Sequence, residues 1–370
     1  MASETKFRVG DWVEVRSKEE VLQTLDQNGR YEEVPFMPQM FEYCGKRFQV
    51  YKSAHKACDT ANSTGARSVN DVVHLENLRC TGRNYDGCQS ACLFYFKEVW
   101  LRPAESQSKH QSAAVPSTKN GSPGCTEADV LAATRMTTPG DSDVRYVCQA
   151  TQLPYASKPL PMWHLGQYLK DYSSGNTRVS EMIEPILFKL INEIINAGIG
   201  VGEPFRWAYD VIQKRRGKTP YPWRPARIVK GGKTPSSKLG LQIGEWVRIK
   251  KYQEILDTLD DEYRNRGMAF NAELAYYCGG TYRVAGRVDK IMDEKNGRLV
   301  VFKNECIVLE GTDCVGRFTR PLFCPRGGYT YWREIWLERV AKPAGEGGRV
   351  CVDAVRTIEG ISPSKTKENK

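Results

Sequence analysis

Displaced by 234 positions, the sequence matches itself. Gly10, Trp12 and Val13 fall on Gly244, Trp246 and Val247, and Glu20, Leu22, Thr24, Leu25 and Asp26 fall on Glu254, Leu256, Thr258, Leu259 and Asp260. Further on, Phe36 falls on Phe270, Tyr43-Cys44-Gly45 on Tyr277-Cys278-Gly279, Val50 on Val284, Leu75-Glu76 on Leu309-Glu310, and Cys80 on Cys314. After a two-residue insertion in the second copy, Cys88 meets Cys324, Glu98 meets Glu334, and Trp100-Leu101 meets Trp336-Leu337. Self-similarity at one fixed offset is the mark of a duplicated unit. The chain of 370 residues is therefore expected to hold two copies of a small module, over about 8–102 and 242–342, with other material between them.

Each copy opens on a short strand pattern, WVEVRS or WVRIKK. An acidic stretch with apolar residues at helical spacing follows, KEEVLQTLD or YQEILDTLD. The remainder alternates β-branched and aromatic residues with polar ones, as in RFQVYKS, VVHLENL and LFYFKEVWL in the first copy. In the second copy Asn296-Gly297 supplies a hairpin turn. The pattern predicts a mainly β fold with a helical insert, namely two repeated small SH3-like β-barrels joined by a helical segment. A β-sandwich fragment is the competing reading.

Between the copies the character changes. Residues 103–124 are rich in Ser, Pro and Gln and read as a flexible linker. Residues 125–213 read as mostly helical, with Thr126, Glu127 and Asp129 as a helix start and a Ser-Ser-Gly-Asn break at 173–176. Ile186, Leu187, Leu190, Ile191, Ile194 and Ile195 fall on one helical stripe that would dock on a barrel or another helix. Residues 214–241 form a basic, Pro-rich linker, and 343–370 a tail. From Lys214 to Lys238 there are nine Lys and Arg and no Asp or Glu, nearly the whole formal charge of +10.

With 40% hydrophobic and 26% charged residues the composition is that of a globular protein, and no apolar run reaches the roughly 18 residues of a membrane span. The opening MASETKFRVGDWVEV lacks the apolar core of a signal peptide, so a reducing cytoplasm is the expected location. Twelve cysteines then need a role other than disulfides.

Three cysteine positions recur in both copies: Cys44 with Cys278, Cys80 with Cys314, and Cys88 with Cys324. The second copy adds Cys306, so Cys278, Cys306, Cys314 and Cys324 make a candidate four-thiolate zinc site. In the first copy Cys44, Cys80, Cys88 and Cys92 are candidates, with Cys58, Cys125, Cys148, His55 and His74 also in contention as ligands. Zinc is the expected metal because a closed tetrahedral thiolate set suits it, and an iron–sulfur cluster is the alternative. A closed site of this kind is structural rather than catalytic. Buried thiols acting simply as small apolar groups are the plainer reading.

Other features carry less. Lys214, Arg215, Arg216, Lys218, Arg224 and Arg227, with Tyr221 and Trp223 interleaved, could track a phosphate backbone. Gly198, Gly200 and Gly202 follow a helix rather than a strand, which is wrong for a phosphate loop. No histidine stands at motif spacing from a nucleophile, so no catalytic residue is assigned. Glu98 and Glu334, recurring in both last strands, are expected to form structural ion pairs.

The phrases GDWVEVRSKEE, YCGKRFQVYKSAHKACDT, VCQATQLP, YLKDYSSGN, YCGGTYRV and LFCPRGGYTYWREIWLERV resemble a group of uncharacterised bacterial proteins with a duplicated cysteine-rich module. That resemblance covers most of the chain and implies a bacterial origin and a shared architecture; the group supplies no activity to carry over. The expected function is that of a non-enzymatic, metal-stabilised scaffold or interaction protein with protein partners. Nucleic-acid binding through 214–238 is the alternative, and a metal-dependent enzyme at the first cysteine and histidine site is the second alternative.

Overall fold

The structure is a computed structural model that describes residues 6–104, 124–136, 143–197, 202–216, 220–222, 228, 232–319 and 321–343. Most of the linker 103–124, the tail beyond 343, and Lys218, Arg224, Arg227 and Cys351 lie outside these residues. The chain is built mainly from small antiparallel sheets, with a few helices between and beside them.

In the first module Trp12–Val15 pairs with Arg47–Ser53 on one side and Leu101–Pro103 on the other. Arg47–Ser53 pairs in turn with Val72–Leu75, and Val72–Leu75 with Phe96–Lys97. A single 3-10 turn, Glu98–Trp100, joins the two outermost strands of this five-stranded sheet. The second module repeats the pattern at the level of register. Trp12 faces Gln49 as Trp246 faces Arg283, and Val13 faces Pro103 as Val247 faces Arg339. Even the irregularity after Val50 recurs after Val284.

Recurring residues have local explanations. Trp100 and Trp336 are fully buried and each donates its indole N–H to a threonine hydroxyl, Thr24 at 3.0 Å and Thr258 at 2.9 Å. Glu98 accepts the backbone N–H of Lys6, and Glu334 those of Leu239, Gly240 and Leu241. Among the described residues only Glu334 also makes an ion pair, with Arg287 at 2.9 Å. These carboxylates therefore anchor the segment entering each module more than they form the paired charges expected.

Ser17 caps the helix Lys18–Leu22 by accepting the N–H of Glu20, while the Glu20 carboxylate accepts the N–H of Ser17. In the second copy Lys251 stands at the cap and only the glutamate half remains, from Glu254. Ser17→Ala should cost about 1 kcal/mol and Lys251→Ser should gain up to about that much, read from urea unfolding.

The middle region is stitched to the first module. Lys158–Leu160 adds a third strand to the hairpin Lys56–Asp59 with Gly65–Ser68. Asn176 makes reciprocal side-chain bonds of 2.8 Å to the N–H and C=O of Ser53. The expected helix start at Thr126 is present, with Asp129 completing a capping box. The fold covers only the end of the expected stripe on Val179–Asn196, where Ile195 is buried and Ile191 packs beside it. They join Phe188, Tyr209, Tyr221 and Phe318 in one cluster, and Pro185 is buried as well. Leu187 and Leu190 are more than half exposed, because the helix is rotated to bring Phe188 inward.

The two modules pack directly together, and their contacts have the reciprocity of a twofold axis. Thr60 bonds Glu294 and Arg79 pairs with Asp313 at 3.0 Å; in each pair the partners are equivalent positions of the repeat. The loop after Cys88 holds the second module's hairpin, with Gln89 bonded to the backbone of Asp289 and Lys290. The loop after Cys324 holds the first module's hairpin, with Arg326 bonded to the Cys58 carbonyl and Thr60. Residue i meeting j while j's equivalent meets i's is the signature of an isologous interface, here within one chain. Met292 and Leu299 of the second hairpin pack into the first module's core.

Candidate functional site

Two groups of thiols lie on this seam. Cys80, Cys88, Cys92 and Cys148 line one pocket, with Tyr85 and Phe94 beside them and Met292 and Glu294 entering from the second module. The backbone N–H of Cys80 donates to the Cys92 carbonyl at 2.9 Å, which folds the loop between them. Within it Gly82 sends its N–H to the Cys80 sulfur at 3.4 Å. Gly82 holds a φ of +71°, and a Cβ there would stand 1.9 Å from the Cys88 carbonyl oxygen, so only glycine fits. Met292 directs its N–H to the Cys88 sulfur at 3.3 Å. Cys148 precedes the short helix Gln149–Gln152, whose Ala150 and Thr151 amides point at its sulfur.

Burial pushes the Cys80 thiol up to about 12 and the Cys148 thiol up to about 11, and drives Cys92 upward as well. The amides aimed at Cys80 and Cys148 oppose that shift, since an N–H donor stabilises sulfur more as thiolate than as thiol.

The second group joins the modules. Cys58, on Lys56–Asp59, lies beside Cys324, and Cys314 lies within electrostatic reach of both. Cys314 receives the N–H of Gly316 as Cys80 receives that of Gly82, so Cys-x-Gly is common to both copies. That spacing was the readable signal for the two sulfur loops.

The remaining sequence candidates stand apart. Cys44 sits beside Lys18, half-buried and pushed up to about 11 by burial. Cys278 packs against the second core, with burial alone raising its thiol. Cys306 is buried near Arg333, Asp289 and Arg287 and is pushed up to about 12 by burial. The quartet Cys278, Cys306, Cys314 and Cys324 is thus not gathered: Cys314 and Cys324 turn toward Cys58 instead. Cys58, expected to serve its own module, is carried to the other one because its hairpin crosses the seam. Among the described residues no three His, Cys, Asp or Glu side chains converge closely enough to hold a metal ion as they stand.

Neither histidine in contention faces the thiols. His55 lies 3.2 Å from Asp171, and His74 Nδ1 donates to the Phe94 carbonyl at 2.9 Å, since a carbonyl can only accept. Full burial pushes His74 down to about 4, only partly opposed by that bond. Its folded value lies below the unfolded one near 6.5, so the unfolded chain takes the proton first as pH falls. Stability is full above about pH 6.5 and declines toward pH 4, by as much as about 3 kcal/mol from this residue. In urea unfolding at pH 7 and pH 4.5, His74→Gln should show a smaller loss than the unmodified chain.

Of the basic candidates, Lys214, Arg215 and Arg216 are exposed at the end of the helix Gly202–Arg215, where cations complement the carbonyl end of the helix dipole. No described helix is long and apolar enough to cross a membrane. No family model, curated protein or solved structure matches the chain.

Proposed function

We propose that this protein is a non-enzymatic scaffold or interaction protein of two SH3-like modules, the first of them tied to the segment that follows it, beside the seam, by one zinc ion on Cys80, Cys88, Cys92 and Cys148. The observation that carries the reading is the pocket these four thiols share, with backbone amides aimed at three of the sulfurs. The four sulfurs must draw closer to share one ion, since no three of them converge as they stand. An all-thiolate set suits zinc, and a closed set of four leaves no position for substrate. The order of strands, with a 3-10 turn between the last two, supports the SH3-like reading of each module. Leu187, Leu190 and Trp207, left exposed on the two long helices, support a role in binding a protein partner.

Elemental analysis of protein purified without chelator tests the metal. One zinc per chain is expected, lost in Cys92→Ser, with the unfolding midpoint lowered by about 10 °C or more on chelation. Iron with visible absorbance would point to a cluster on the same thiols. A metal-free chain whose midpoint ignores chelator would sink the proposal.

A further inference from the structure

We propose that Cys58 and Cys324 are a redox-responsive pair that closes to a disulfide across the seam and locks the two modules together. The two cysteines face each other across the seam, one from each module, each acting on the other's ionisation. Arg326, two residues from Cys324, holds the pair in register by donating to the Cys58 carbonyl at 3.3 Å and to the Thr60 hydroxyl at 2.6 Å. Glu294 anchors that guanidinium at 2.5 Å and also bonds Thr60, so both modules fix the approach. The mirror contact of the pseudo-twofold supplies a comparison. There Met292 stands at the position equivalent to Cys58 and meets Cys88, the equivalent of Cys324, through its backbone N–H. The repeat thus builds the same contact twice and makes only one of the two able to close to a disulfide.

The environment divides the roles. The neighbouring Cys58 together with the Arg326 amide and guanidinium favours the Cys324 thiolate and lowers that thiol against its burial. Cys324 is then the thiolate that reacts, and the half-buried Cys58 is the resolving thiol. With hydrogen peroxide as oxidant, the Cys324 sulfur attacks one peroxide oxygen, the O–O bond breaks, and the departing hydroxide leaves as water after taking a proton. Cys58 sulfur then attacks the sulfenic sulfur; the S–S bond forms, the S–O bond breaks, and the hydroxide leaves as water with the Cys58 proton. Two thiols lose two electrons and one peroxide becomes two waters. Neither cysteine of the pair lines the four-thiol pocket, so the proposal is tested whether or not zinc binds there.

The test is a titration of the full chain with hydrogen peroxide, followed by alkylation of free thiols, proteolysis without reductant and mass spectrometry. A peptide joining Cys58 to Cys324 is expected in most chains, and dithiothreitol should remove it. In Cys58→Ser, Cys324 should stop at sulfenic acid and be trapped by dimedone. The linked peptide in the unmodified chain keeps the test valid even if that variant folds poorly. A bond from Cys324 to Cys314 instead, or alkylation of both Cys58 and Cys324 at peroxide levels that oxidise the other thiols, overturns the proposal.

Discussion

Asp171→Ala should destabilise the fold by about 3–5 kcal/mol, because it strands a buried ammonium. Asp171 and Lys56 are fully buried, with Lys56 Nζ 2.5 Å from the carboxylate and His55 Nε2 3.2 Å from its other oxygen. Burial holds Lys56 below its ordinary value, and Asp171 is what opposes that shift. The ammonium also lies over the rings of Tyr168 and Phe323, at 5.3 and 5.5 Å, so three parts of the chain meet on it: the first hairpin, the helix Gly166–Ser173 and the second module's sulfur loop. Lys56→Met combined with Asp171→Leu should recover most of the loss, since a buried pair replaced by apolar groups of similar volume is often neutral. Urea unfolding of the two single variants and the double variant gives the coupling directly. Additive losses would show that the pair is not a unit.

Trp100→Ala and Trp336→Ala should each cost about 3–5 kcal/mol, the loss typical of truncating a buried tryptophan. Each indole fills the centre of its module and crosses a phenylalanine edge-on, Phe36 at 5.1 Å and Phe270 at 5.2 Å. The threonine that accepts each indole N–H donates its own hydroxyl to a backbone carbonyl at 2.7 Å, so the pair ties the core to the first helix. Removing the ring therefore leaves a cavity and takes away the hydroxyl's only donor, though its own bond to the carbonyl stays. Circular dichroism during urea unfolding should show equal losses for the two variants. A loss confined to one of them would mean that the repeat is not energetically equivalent.

Much of this fold was legible in the repeat. A period of two on strands and the matched Gly, Trp and Thr positions fixed the module boundaries, and the structure returns the same strand pairings in both copies. Thr126 followed by Asp129 announced a helix start, and the structure supplies it. The buried Lys56–Asp171 contact was not legible. Nothing in the local pattern around Asp171 distinguishes a buried acid from a solvated one on an amphipathic helix. Leu187 and Leu190 failed for a related reason. Helical spacing tells which residues share a face, and only packing decides whether anything covers it.

The sequence by itself determined that one unit is repeated, which segments of it alternate as strands, and which cysteines and glycines recur in both copies. These depend on local periodicity and on glycine's access to positive φ, and both are properties of short segments. Which thiols meet was decided only by the tertiary structure. Two modules of one pattern can each fold a hairpin over their own sulfur loop or over their partner's, with the same local pattern in either case. Met292 and Leu299 entering the first core, and Arg326 reaching the Cys58 carbonyl, select the crossed arrangement. Cys58 thereby meets Cys324, and Cys148, from outside either module, meets Cys80 and Cys92.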